Sequence, residues 1–90
     1  MMGEDTATEA KVGEWLEGIA RSRLPEPPAL GPDSRLIDLG LMDSLAVFEL
    51  VAQIEGELGV AVPHEALVPE NFGTPAALAR MVEDLKAGAG

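Results

Sequence analysis

Apolar residues in the first third of the chain recur three and four apart. Val12, Trp15, Leu16, Ile19 and Ala20 fall on one side of a spiral, with Leu24 able to add a last turn; this is the spacing of an amphipathic helix. Ahead of them, Thr6-Ala7-Thr8-Glu9 fits the Ser/Thr-x-x-Glu capping box, in which two side chains satisfy free backbone amides. Pro25, Pro27 and Pro28 stop the pattern, so a helix is predicted over about 6–24. A second apolar stripe, Val47, Leu50, Val51, Ile54 and Leu58, predicts a helix over 44–58 with its buried face on those five residues. Gly59 follows it and suits a left-handed C-terminal cap. Phe48 and Ala52 lie beside the stripe, on the side that carries Ser44, while Glu49, Glu55 and Glu57 lie outside it.

Beyond Gly59 the pattern changes. Val60-Ala61-Val62-Pro63 reads as extended, and 64–68 has room for one short helix before Pro69. Thr74 is placed to cap a last helix over about 75–86, with Pro75 at its first position, where the missing amide costs nothing. Leu78, Met81, Val82 and Leu85 form its buried face, Phe72 plugs its start, and residues 87–90 read as a frayed tail. Between the first two helices, Pro25 to about Met42 is a long Pro- and Gly-rich connection. Loops of that length in a compact domain are functional or ordered by their own packing. Here Asp33-Ser34-Arg35 could form one helical turn, with Leu36, Ile37 and Leu39 tucked against the helices. The expected fold is all-α: one domain over 1–90, a four-helix bundle with three longer helices, one short one and a long first loop.

Composition narrows the function. Ninety residues make one small domain in which every apolar face must be used. The chain has no cysteine, which removes disulfides, thiolate metal sites and a cysteine nucleophile. No apolar run approaches a membrane span, and the acidic N-terminus is unlike a secretory signal, so a cytoplasmic protein without membrane insertion is expected. Six basic against sixteen acidic side chains give a net charge of −10. That field repels nucleic acid and steers the protein toward basic partners; acidity as a simple aid to solubility is the plainer reading. The only histidine, His64, has no companion for a metal site and reads as a surface or capping residue. Trp15 reads as a core or groove-lining residue.

One stretch is out of keeping with the pattern. In Gly40-Leu41-Met42-Asp43-Ser44-Leu45 a polar pair interrupts an apolar run at the start of the second helix. Asp43 or Ser44 could serve as the cap, worth about 1 kcal/mol. Ser44 also stands where backbone amides and the helix dipole favour an attached anion, so a phosphate ester on its hydroxyl would be well placed. A serine hydrolase would need an elbow such as Gly-x-Ser-x-Gly, whereas Met42 and Ala46 occupy those glycine positions. A plain helical interaction module without a prosthetic group is the stronger rival.

Asp43-Ser44-Leu45 followed by Glu49-Leu50 resembles the modification site of the acyl and peptidyl carrier proteins. The likeness runs from about Leu36 to Leu85 and includes Leu39-Gly40, the acids Glu49, Glu55 and Glu57, and Val62-Pro63. It implies an acyl-carrier-like bundle that is not itself an enzyme. A phosphopantetheinyl transferase would use coenzyme A and Mg²⁺ to place 4′-phosphopantetheine covalently on Ser44, with Asp43 serving as cap and in transferase recognition. The arm's thiol would then hold an acyl or aminoacyl group as a thioester. Leu45, Phe48, Glu49, Ala52 and Glu55 would face the partners: the transferase, an adenylating or acyl-loading enzyme, and downstream condensing or tailoring enzymes.

Two residues, Leu41 and Met42, separate the glycine from Asp-Ser, and Ala46 stands where fatty-acid carriers tend to have an acid. The spacing looks more like D-alanyl carriers and stand-alone aminoacyl or specialised extender-unit carriers, and Ala46 argues against housekeeping lipid synthesis. A start at methionine and an end soon after the last helix lead to the expectation of a free-standing, monomeric carrier. Few lysines with abundant Ala, Gly and Leu suit a GC-rich bacterium with natural-product pathways, so a role in nonribosomal peptide or polyketide biosynthesis is expected.

Overall fold

A computed structural model of the chain describes the backbone of residues 2–89 and the side chains of residues 7–88. Four α-helices follow one another: α1 Met2–Arg23, α2 Ser44–Leu58, α3 Pro69–Phe72 and α4 Pro75–Ala89, with a 3₁₀ turn at His64–Ala66 before α3. Three are long and one is a single turn, and the described residues contain no strand.

Proline breaks α1, and the Leu24 amide closes its last turn on the Ala20 carbonyl at 2.8 Å. Its start differs from the expected one. The helix runs past Thr6 to Met2, and the Thr6 side chain of the supposed capping box lies outside the described side chains. Thr8, assigned to the same box, is buried against α4 instead. Its hydroxyl donates to Glu83 and accepts from Lys86 Nζ at 3.2 Å. A buried hydroxyl must be satisfied, and the polar trio ties the N-terminal part of α1 to α4.

The core is contiguous. Val12, Trp15, Leu16, Ile19 and Ala20 of α1 meet Ala46, Leu50 and Ile54 of α2 and Leu78, Ala79, Met81 and Val82 of α4. Leu36, Leu41, Met42, Val60 and Phe72 close it from the connections and α3. Trp15 is a core residue whose indole N–H donates to Glu57 Oε2 at 3.1 Å, and Lys11 pairs with the same carboxylate at 3.2 Å.

Four local expectations need correction. The buried line of α2 is Ala46-Leu50-Ile54, with Val47, Val51 and Leu58 half-buried, so the helix is turned by part of a residue step from the predicted stripe. The short helix lies at 69–72 rather than 64–68: Pro69 does not end it but begins it, at the position where proline is best tolerated. Residues 87–89 continue α4 rather than fraying, while Gly90 lies outside the described residues. In the long connection, 33–35 form no helix; Leu36 is buried, but Ile37 is 53% exposed and Leu39 is also exposed.

That connection is nonetheless ordered by its own bonds. The Leu36 amide donates to the Gly73 carbonyl at 2.9 Å, and the Pro32 carbonyl accepts from Ala76 at 3.0 Å, stitching the loop to the start of α4. Gly40, at φ 76°, then turns the chain, and the Leu41 amide returns to the Leu36 carbonyl at 2.9 Å. At the other end of α2, Gly59 at φ 69° forms the left-handed cap, its amide on the Glu55 carbonyl at 3.1 Å. Thr74 Oγ1 accepts from the Ala77 amide at 3.1 Å and caps α4.

Candidate functional site

The polar pair at the start of α2 follows from its flanks. Leu41 and Met42 enter the core before it, and Ala46 enters after it, so residues 43–45 are left facing outward. Asp43 is the N-cap: its backbone is extended, and its Oδ1 accepts from the Ala46 amide at 2.9 Å. That relieves Ser44 of the capping task. Ser44 is the first helical residue, exposed, with its hydroxyl at the positive end of a 15-residue helix.

A residue that the sequence pattern did not single out completes the site. Arg23, the last residue of α1, reaches across to Asp43 with Nη1 on Oδ2 at 2.8 Å and Nη2 on Oδ1 at 3.0 Å. Arginine holds carboxylates best in this two-pronged geometry. The Arg23 hydrogen bonds, followed by the Ala46 amide, hold the Asp43 carboxyl down to about 2. The same pairing raises the Arg23 guanidinium above its ordinary value. The only local hint was a basic residue in the last turn of a helix; its partner lies twenty residues away.

Beside Ser44 opens an apolar groove of about 450 Å³ between α2, α3 and the end of the long loop. Ile37, Val47, Phe48, Val51, Leu67 and Val68 are among its walls, and Phe72 forms part of its base. The outward turn of Ile37 thus has a place: it is one lip of this groove. Phe48 is 77% and Leu45 60% exposed. With Ala52, also exposed, they share the outer face of α2. Glu49 lies at the edge of that face, above a second, more polar cleft of about 510 Å³ shared with α1. Glu55 is exposed too, but its Oε2 accepts from the Val62 amide at 3.0 Å, which gives it a task within the fold.

His64 is exposed at the start of the 3₁₀ turn and does not line the groove that contains Ser44. Among the described residues no group of three His, Cys, Asp or Glu comes together to hold a metal ion, and no helix is long and apolar enough to cross a membrane. The arrangement therefore offers an accessible primary hydroxyl at a helix N-terminus, a neutralised acid next to it, and an apolar trough alongside.

Comparison with known proteins gives this geometry a family. The family described as phosphopantetheine attachment site matches residues 14–82. A D-alanyl carrier protein of Enterococcus faecalis is 43% identical over 54 residues, 60% of this chain and 69% of that protein. Aminoacyl carrier protein 2 of Bradyrhizobium diazoefficiens is 38% identical over 60 residues, 66% of each chain. The chain thus spans about two thirds of the length of these relatives. In fold it is similar to a chain in the crystal structure of Bradyrhizobium japonicum glycine:[carrier protein] ligase complexed with glycylated carrier protein. The TM-score is 0.72 at 23% identity, covering 83% of this chain and 97% of that one. The chain belongs to the phosphopantetheine-attachment family of carrier proteins, and 4′-phosphopantetheine is the group it carries covalently.

Proposed function

We propose that the chain is an aminoacyl carrier whose 4′-phosphopantetheine arm is attached to Ser44. The observation that carries this reading is the freedom of the Ser44 hydroxyl: it is exposed at the first position of α2, while Asp43 does the capping. The site fits the group. Ser44 Oγ would displace 3′,5′-ADP from coenzyme A, its proton passing to a base on the transferase, and the new phosphodiester would lie at the helix N-terminus, which favours an anion. When bound, the arm supplies a thiol, which this chain lacks, and that thiol holds the cargo as a thioester. The protein itself catalyses nothing. It presents cargo from the face of α2 that carries Leu45, Phe48 and Ala52, with Glu49 and Glu55 at its margins.

An amino acid, loaded by an adenylating ligase, is the cargo best supported. Relatives are named D-alanyl and aminoacyl carrier proteins, and a fold neighbour was solved glycylated beside its ligase. Two pathway settings follow from this. Natural-product assembly, with condensing or tailoring enzymes downstream, is the one we favour from composition; the D-alanyl names support transfer of D-alanine instead. The protein works as a cytoplasmic monomer in this reading. A plain interaction module without a prosthetic group does not survive the family assignment.

Intact mass spectrometry after incubation with a phosphopantetheinyl transferase and coenzyme A tests the attachment: one arm is gained by the native chain and none by Ser44→Ala. A gain that persists in Ser44→Ala moves the site. Incubating the modified protein with ATP, candidate ligases and D-alanine, glycine or other amino acids, or with acyl donors, then reads the cargo directly. Loading by acyl donors alone would overturn the aminoacyl reading.

A further inference from the structure

Asp43 is the acid adjoining Ser44, and its side chain is 59% exposed. In a chain of net charge −10, a carboxylate so placed is where a basic partner would be expected to grip. Its oxygens are already engaged. Oδ1 accepts from the Ala46 amide and from Arg23 Nη2, and Oδ2 accepts from Arg23 Nη1, at 2.8–3.0 Å. The Arg23 side chain is the more covered member of the pair, 20% exposed, its stem packed at the end of α1 while its guanidinium meets Asp43 at the surface. Glu49 is exposed and close enough to add to the field on Arg23, yet the guanidinium bonds to Asp43. The charge beside Ser44 is thus cancelled from within, as that of Glu57 is by Lys11, whereas among the described residues no ion pair holds Glu49 or Glu55.

We propose that Arg23 is a specificity-determining residue, an internal stand-in for the cation that a partner would bring to Asp43. It disfavours partners that depend on a free carboxylate next to Ser44 and directs basic partners toward Glu49 and the Leu45-Phe48-Ala52 face. Where the partner is a transferase, this rests on the reading of Ser44 as the attachment site. The masking itself does not. Lysine cannot replace Arg23 fully, because a point charge lacks the two-pronged fit.

Two experiments test it. In the first, a hexa-arginine peptide is titrated into the isotope-labelled, unmodified protein and the side-chain carboxyl carbon shifts are followed. In the native chain the Glu49 signal moves and the Asp43 signal stays; in Arg23→Gln the Asp43 signal moves as well. Helical circular dichroism is retained, because Asp43 keeps the Ala46 amide. An Asp43 signal that responds equally in both proteins overturns the proposal, whatever the fate of Ser44.

The second follows arm transfer from coenzyme A by a phosphopantetheinyl transferase. Arg23→Gln raises kcat/KM by about two- to threefold at low salt, the size expected for exposing one unit charge through water. The gain lies in KM, Arg23→Lys falls between, and the effect of Arg23→Gln disappears in an Asp43→Asn background. A lower kcat/KM, or the same gain without Asp43, overturns the masking role. Labelling of the native chain at another serine would instead overturn the Ser44 assignment, and the peptide titration would still decide the role of Arg23.

Discussion

Phe48 and Phe72 border the same groove from opposite sides of the burial scale, 77% against 2% exposed. Truncating them should therefore separate function from stability. Phe72→Ala leaves a void under α3 and should cost about 3–5 kcal/mol. In a domain of this size each kcal/mol moves the melting midpoint by about 4–8 °C, so the drop should be about 12 °C or more. Under a quarter of the Phe48 surface is covered. Since full burial of such a side chain is worth about 1.5–3 kcal/mol, Phe48→Ala should cost below about 0.7 kcal/mol and move the midpoint by about 6 °C at most. Its effect on partners should be larger. Loss of a central aromatic anchor costs about 2 kcal/mol or more of binding, about thirtyfold in kcat/KM for arm transfer or loading. Thermal melts followed by circular dichroism, run beside mass-resolved transfer kinetics, give both numbers on the same samples. A Phe48→Ala midpoint as low as that of Phe72→Ala would show that α2 is rotated from the position described. Unchanged kinetics with every partner would remove Phe48 from the docking face.

Four further outcomes are expected. Ser44→Ala should keep its melting midpoint, within about 0.5 kcal/mol, because Asp43 and not Ser44 caps α2; intact mass should show no arm. Gly40→Ala should lose about 1–2 kcal/mol in urea unfolding, a cost of its positive φ alone, since no atom beyond its chain neighbours lies within 4 Å of a Cβ there. Asp43 is held at about 2 against an ordinary 3.8, so its contribution is fully present above about pH 4 and lost as pH falls through about 2. The stability gap between native chain and Asp43→Asn should accordingly be widest near neutrality and close toward pH 2, read by urea unfolding across pH. Glu49→Lys should slow transfer and flatten its salt dependence at constant helicity, because charge steering is screened over about 10 Å at 0.1 M salt; rates indifferent to both would leave acidity as an aid to solubility.

The fold was legible where a residue has one dominant physical effect. Three prolines among the four residues after Leu24 stop a helix, Thr74-Pro75 can readily start one, and a glycine behind an apolar stripe readily takes positive φ, as Gly59 does. It was less legible where packing decides between similar candidates. Ala46 is small enough to be overlooked in a hydrophobic stripe, yet it is fully buried, while the larger Val47 and Val51 stay at the groove edge. Pro69 illustrates the same limit: proline marks a boundary, but whether a helix ends before it or begins with it depends on what Phe72 can reach.

The site divides along the same line. Ser44 stood out because a hydroxyl in an apolar run is a local anomaly, and local anomalies can be seen in one dimension. Arg23 could not be seen that way. Its role depends on α1 ending where its side chain meets a cap on a different helix, across a loop whose path is set by bonds from Leu36 to Gly73 and from Leu41 back to Leu36. The two residues also answer different physical questions. Ser44 needs only to be exposed and placed at the positive end of a helix, which a capping motif and a run of apolar neighbours arrange. Whether the acid beside it presents an unpaired charge is decided by tertiary structure, and one two-pronged guanidinium is enough to make the pair neutral. An acidic composition therefore describes the field that a partner meets at a distance, while Arg23 governs what it meets on contact.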